Sequence, residues 1–289
     1  LMDTVVAKTQ NHTVFFDTGV YSSAKKLEAL CQGQVTVLNT HGDWDHIGAN
    51  RYLQDRGAKI YVHQADAAKQ TNLPDQWVYG HTQFAGLYSV TQEDTRYFED
   101  EAGQALTPDA ELYDGQILTF DELKAKVLHT PGHSAGCCCF YLEDEGALIT
   151  GDTLQGNGFY GLMPVLSDAY AWMDSLKKLM KVEAERTYIA HAYELDAPEN
   201  VLCGAQALKN QLALCLEVAQ TMEKALLQLL ESQADDPELT LKQTAQALAD
   251  SVKRPRGFGA CLTALSFLRH LQDRYPVAKR IVSQYVLRA

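Results

Sequence analysis

No stretch of the 289 residues runs to about 18 uninterrupted apolar side chains, so the sequence offers no membrane-spanning helix. It does not open on a basic segment followed by an apolar run either; no secretory leader is read, and a cytoplasmic location is expected. The seven cysteines are odd in number and not spaced as a disulfide framework, which excludes a small crosslinked scaffold. Three of them, Cys137, Cys138 and Cys139, are consecutive in an apolar run, where free thiols are expected as small buried packing groups. Cationic charge is scarce: 25 Lys and Arg against 37 Asp and Glu leave a net charge of −12, which makes nucleic acid a poor partner. No serine or cysteine stands beside a suitable base, so a covalent acyl-enzyme is not called for.

What is present is a dense cluster of ligand-type side chains. Thr40-His41-Gly42-Asp43-Trp44-Asp45-His46 packs two imidazoles and two carboxylates into six residues, directly after the apolar stretch Val35 to Leu38. Such groups are costly to bury unless a cation gathers them, and imidazole nitrogen and carboxylate oxygen are ligands of zinc, manganese and iron. The same pattern, an apolar strand ending in a metal-competent residue, recurs three times, before His133, Asp152 and His191. Open sheets gather functional residues beyond the carboxyl ends of their strands. The predicted ligand set is therefore His41, Asp43, Asp45, His46, His133, Asp152 and His191. Seven ligands exceed one four-coordinate ion and suit two divalent metals sharing a carboxylate, roughly 3.5–4 Å apart.

These residues resemble the metallo-β-lactamase superfamily, whose signature is His-x-His-x-Asp-His followed by a distant His, an Asp after Gly and a last His. The likeness covers about residues 13–191. Thr130-Pro-Gly-His-Ser-Ala-Gly136 and Leu148-Ile-Thr-Gly-Asp-Thr-Leu154 look most like the glyoxalase II-like hydrolase branch, and Phe15-Phe-Asp-Thr-Gly19 resembles the early strand and turn of that fold. The resemblance implies a four-layer αββα sandwich over residues 1–196, with a variable insert at about 64–115 beside the site, and an α-helical domain over 197–289. It also implies that His41 and His133 hold the first metal, that Asp45, His46 and His191 hold the second, and that Asp152 bridges. The activity implied is cleavage of an ester, thioester, lactone or related acyl bond of a small-molecule substrate by a metal-bound hydroxide, with Asp45 as the catalytic carboxylate. Asp43 departs from the signature by replacing its second histidine. A hard oxygen there favours iron or manganese over zinc at the first site. That keeps open an alternative, a di-iron oxygen or nitric oxide reductase-like protein needing a separate electron donor.

The 46% hydrophobic content suffices for one large α/β domain and a smaller appendage. Amphipathic stretches at Ala24–Cys31, Ile47–Arg56 and Ala169–Lys181 alternate with β-rich runs. Leu208, Leu212, Cys215, Ala219, Met222, Leu226 and Leu229 step by three and four, a seam that needs a partner helix in the chain or in a homodimer. Thr240 to Gln243 reads as a capping box, Phe258–Arg274 as another helix, and the tail resembles a degenerate winged helix. From Lys253 to Ala289 eight Lys or Arg face one Asp. Lys253, Arg254 and Arg256 are the expected substrate-binding cations of this basic island.

Overall fold

The computed structural model describes residues 2–76, 84, 86–158, 162–193, 200–233 and 238–285. Trp77, Tyr79 and His81 of the expected insert, the expected domain junction at 196–197, the Asp235-Asp236-Pro237 break and Arg288 lie outside the described residues. The first sheet runs in the order β1 (Val5–Lys8), β2 (His12–Phe16), β3 (Gln34–Leu38), β4 (Lys59–His63) and β5 (Ala110–Leu112), parallel from β2 onward. The second comprises β6 (Ile117–Phe120), β7 (Leu123–His129), β8 (Cys138–Leu142), β9 (Ala147–Ile149), β10 (Arg186–Tyr188) and β11 (Val201–Cys203) in chain order, with only β9 and β10 parallel.

Period-two alternation explains the layers. Val14 and Phe16 meet Phe140 and Ile149 between the sheets, whereas Phe15 turns outward onto the helices α1 (Ala24–Glu28) and α3 (Asn50–Gln54). On β8 and β9, Cys138, Phe140 and Ile149 point between the sheets, while Cys139 and Leu148 point to the opposite helical layer. Cys137, Cys138 and Cys139 are thus buried, as their apolar context suggested.

Four expectations are corrected. The stretch Ile47–Arg56 is not one helix: Ile47 ends α2 (Trp44–Ile47) and α3 begins at Asn50, with Gly48 between them packed so tightly that a Cβ would lie 2.6 Å from both Glu101 O and Tyr21 N. The segment 64–115 is not all insert, since β5 completes the first sheet alongside β4; α4 (Ala67–Thr71) and α5 (Gln92–Glu101) precede it. The sandwich reaches past 196, because β11 pairs with β10 before the tail helices begin. No strand follows β11 among the described residues, so the tail has no wing there.

Opposite the second sheet, α6 (Ala169–Leu179) packs with the tail helices α7 (Ala205–Ser232), α8 (Leu241–Ser251), α9 (Phe258–Leu271) and α10 (Pro276–Val282). The α7 seam is covered within the chain, with Leu230 rather than Leu229 at its buried end. Thr240 and Gln243 form the capping box that opens α8. None of the described helices is long and apolar enough to cross a membrane.

Candidate metal centre

All seven predicted ligands meet at one end of the sandwich, beyond the carboxyl ends of β3, β7, β9 and β10. They fall into three overlapping groups: His41, Asp43 and His133; Asp45, His46 and His191; and His41, His46 and Asp152. Asp43 occupies the N-cap position of α2 but makes no capping bond, because its carboxylate is turned into the site. Its Oδ2 lies 3.0 Å from His133 Nε2 and 3.7 Å from His41 Nε2. Asp152 sits between the groups, with Oδ1 at 3.5 Å from His46 Nε2 and 3.6 Å from His191 Nε2, and Oδ2 at 3.6 Å from His133 Nε2.

The imidazoles are oriented from behind, as ligating histidines need to be. The Nδ1 of His46 donates to Asp17 Oδ2 at 2.9 Å, and that of His133 to the Val165 carbonyl at 2.8 Å. The Nδ1 of His41 lies 3.0 Å from Thr40 Oγ1, which in turn donates to Asp17 Oδ2 at 2.7 Å. These contacts fix the tautomers so that the Nε2 lone pairs converge. The donor set fits a cation: His41 Nε2 and Asp152 Oδ1 are buried, and neither has a hydrogen-bond partner among the described residues. A cation would satisfy both.

The electrostatics agree. Burial, reinforced by His46, holds the His41 imidazole down at about 4, so it meets the site uncharged. Burial opposes the His133 cation, but the hydrogen bond to Asp43 and the charge of Asp152 raise it to about 9. Burial also opposes the Asp152 carboxylate; His191 and His46 outweigh it and hold the group well below the usual range. Carboxylates and protons here share space that a divalent ion would take over.

Sequence reasoning missed the roles of Asp17, Asp66 and Lys69 in holding these loops together. Asp17, on the Phe-Phe-Asp-Thr-Gly turn and at φ +62°, accepts from Thr40 N and Thr40 Oγ1 at 2.7 Å as well as from His46. Asp66 accepts from Gly42 N at 2.9 Å, Ser134 Oγ at 2.6 Å and Gly136 N at 2.9 Å, and so ties the His41 loop to the His133 loop. Lys69 on α4 places Nζ 2.6 Å from Asp43 Oδ1. His129 braces the same loop through Ala135 O at 2.8 Å and stacks on His63.

Gly151 is required twice over. Its φ is +49°, and a Cβ would lie 2.3 Å from Thr40 Oγ1. Gly151→Ala is expected to destabilise the fold by roughly 2–4 kcal/mol, from left-handed strain plus overpacking, and to loosen the Thr40 support of His41. A denaturant midpoint within error of wild type would show that this turn relaxes freely.

A cleft of about 420 Å³ opens beside the first group, lined by Asp43, His133 and Lys69 and by Phe258, Leu262 and Arg269 of α9. The tail therefore reaches the site, but not through the expected cations. Lys253, Arg254 and Arg256 are absent from the cleft wall; Lys253 is exposed, and Arg254 Nε donates to the Asn157 carbonyl at 2.8 Å. Arg269, farther along α9, lines the cleft instead.

Known proteins match this arrangement. Residues 3–191 match the model of the metallo-beta-lactamase superfamily. A hydroxyacylglutathione hydrolase of Synechococcus sp. (strain JA-2-3B'a(2-13)) is 30% identical over 175 residues, 60% of this chain and 55% of that protein. An atrochrysone carboxyl ACP thioesterase of Claviceps purpurea (strain 20.1) is 30% identical over 145 residues, 48% of this chain and 44% of that protein. The chain thus spans about half the length of the curated relatives it matches. The crystal structure of a metallo-beta-lactamase family protein from Thermus thermophilus superposes with a TM-score of 0.71 at 20% identity, covering 94% of this chain and 89% of that one. Two sheets between helical layers, ligands at the strand ends and a family match over most of the chain agree: this protein belongs to the metallo-beta-lactamase superfamily.

Proposed function

We propose that the chain is a metal-dependent hydrolase that cleaves an ester, thioester, lactone or related acyl bond of a small molecule. The observation that carries this reading is Asp152, which turns one oxygen toward His46 and His191 and the other toward His133, a histidine that itself lines the open cleft. In this reading His41, Asp43 and His133 hold one ion, Asp45, His46 and His191 hold the second, and Asp152 lies between. Two such ions supply an acidified water and an electrophile for the scissile carbonyl. Relatives that are a hydrolase and a thioesterase support the reaction class.

The chain's own residues do the rest. Asp45 is partly exposed and lies 3.4 Å from His191; we assign it the role of orienting water and passing a proton to the leaving group. The Nε2 atoms of His41, His46 and His133 face the other ligands because Thr40, Asp17 and Val165 hold their other nitrogens. The apolar wall of Phe258 and Leu262 excludes water from the acyl chain. The oxidoreductase alternative leaned on the added negative charge of Asp43; Lys69 offsets that charge, which favours hydrolysis.

The test is elemental analysis of the freshly purified protein together with a panel of esters, thioesters and lactones offered to the zinc-, manganese- and iron-loaded forms. Two equivalents of metal and turnover of a panel member are expected. Bound metal with no turnover, or turnover untouched by chelation, would refute the reading. Because Arg269 brings positive charge to the cleft wall, Arg269→Ala is expected to raise KM for an acyl substrate with an anionic tail about tenfold and to leave kcat nearly unchanged. The triple variant Lys253→Ala/Arg254→Ala/Arg256→Ala should leave that KM in place; a rise in the triple variant alone would restore the loop as the substrate contact.

A further inference from the structure

Lys69 is not one of the ligands, yet it is built into their midst. It projects from α4, a helix of the first-sheet side, and its Nζ lies 2.6 Å from Asp43 Oδ1 and 3.7 Å from Asp66 Oδ2. The other Asp43 oxygen, Oδ2, faces His133 at 3.0 Å and His41 at 3.7 Å. The carboxylate is therefore divided, one oxygen on the ammonium and one on the site. Asp66 does not need Lys69 in the same way, because Gly42 N, Ser134 Oγ and Gly136 N already satisfy it at 2.6–2.9 Å.

We propose that Lys69 is a positioning residue that makes Asp43 an electrostatic stand-in for a neutral histidine at the first metal position. Its ammonium fixes which oxygen faces the ion and cancels, at the outer oxygen, the charge that a carboxylate would otherwise add. An aspartate and a lysine together present one donor atom and no net charge, as an imidazole does. The consequence runs against the simple expectation from a hard oxygen donor: with Lys69 in place, zinc binds the first position without a built-in disadvantage. This inference rests on the two-ion reading of the site.

The test uses metal content and affinity, not activity. Wild type, Lys69→Arg, Lys69→Met, Asp43→His and the double variant Asp43→His/Lys69→Met are equilibrated with zinc, and bound equivalents and dissociation constants are measured by elemental analysis and chelator competition. Asp43→His alone should lose one zinc equivalent, because it leaves an ammonium facing the ion with no carboxylate between them. The double variant should regain it, and Lys69→Arg should resemble wild type. In Lys69→Met, manganese should gain on zinc at the first position, because a carboxylate freed of the ammonium is the harder donor.

If Asp43→His alone keeps two zincs at wild-type affinity, or the double variant does no better than Asp43→His, the proposal is overturned. If the double variant does not fold, Lys69→Met decides: an unchanged manganese-to-zinc preference overturns the proposal, and a shifted one sustains it. Wild type that binds fewer than two ions refutes the two-ion reading itself; two ions in wild type with no response among the variants refutes only the role of Lys69.

Discussion

Asp45→Ala is expected to lower kcat for any acyl substrate of this chain by about a thousandfold, within the roughly 10²–10⁴ range that a positioned general base contributes. Two carboxylates of the site are partly exposed, Asp43 and Asp45. Asp43 is held on both oxygens, by Lys69 and by His133, and is not disposed to move a proton. Asp45 faces His191 at 3.4 Å with its side chain 28% exposed, so it can reach water and leaving group alike. Burial opposes its ionisation, but His46 and then His191 hold it below the usual carboxylate range, so it is anionic at neutral pH. Metal content must be measured beside kcat, since Asp45 also belongs to the second ligand group. Turnover within tenfold of wild type, with the fold intact, would remove Asp45 from the mechanism.

Asp66→Ala is the second change with a large expected effect, and it acts on stability. The carboxylate is buried and accepts three hydrogen bonds from the two loops that carry His41, Asp43 and His133. Its loss would strand Gly42 N and Gly136 N without an acceptor, leave the Ser134 hydroxyl with the weaker acceptor Cys137 Sγ, and leave Lys69 with Asp43. Removing one partner from a buried charged network costs about 3–5 kcal/mol. For a chain of this size that corresponds to a fall in Tm on the order of 10 °C. First-site zinc should weaken with it, because the two loops no longer share an anchor. Asp66→Asn keeps the shape and one acceptor oxygen and should fall between the two. Calorimetry of the three proteins in the presence of chelator isolates the fold from the metal, and a Tm loss below about 2 °C for Asp66→Ala would show that the loops hold themselves.

The metal-ligand cluster was legible in the sequence because its chemistry is local. His41, Asp43, Asp45 and His46 lie within one strand end and the first turn of α2, and few roles other than cation binding make such a cluster tolerable in an apolar setting. His133, Asp152 and His191 could be found because each follows an apolar strand, and strand ends on one side of a sandwich meet in space. The period-two and period-three-to-four patterns likewise determined an α/β body and a helical tail, since they record which side of an element faces other protein, whereas the two-sheet sandwich was implied by the family resemblance. The assignment of β5 and β11 needed the structure, because these three-residue strands, unlike β9 and β10, are followed by no ligand residue that marks them.

What only the tertiary structure decided are the partners of the ligands. Nothing in the run Gln64 to Lys69 marks Asp66 or Lys69 as part of a metal centre; their roles come from atoms 24 to 70 residues away in the chain. The same is true of the cleft cation. Lys253, Arg254 and Arg256 form a visible charge cluster, whereas Arg269 is one arginine on an apolar helix, yet helix packing turns only the second toward the cleft. Metal ligands announce themselves through residue type and spacing. The charges that tune them are read only once the fold has brought them within a few Å, because Coulombic and hydrogen-bond partners are chosen by distance in space and leave no period in the sequence.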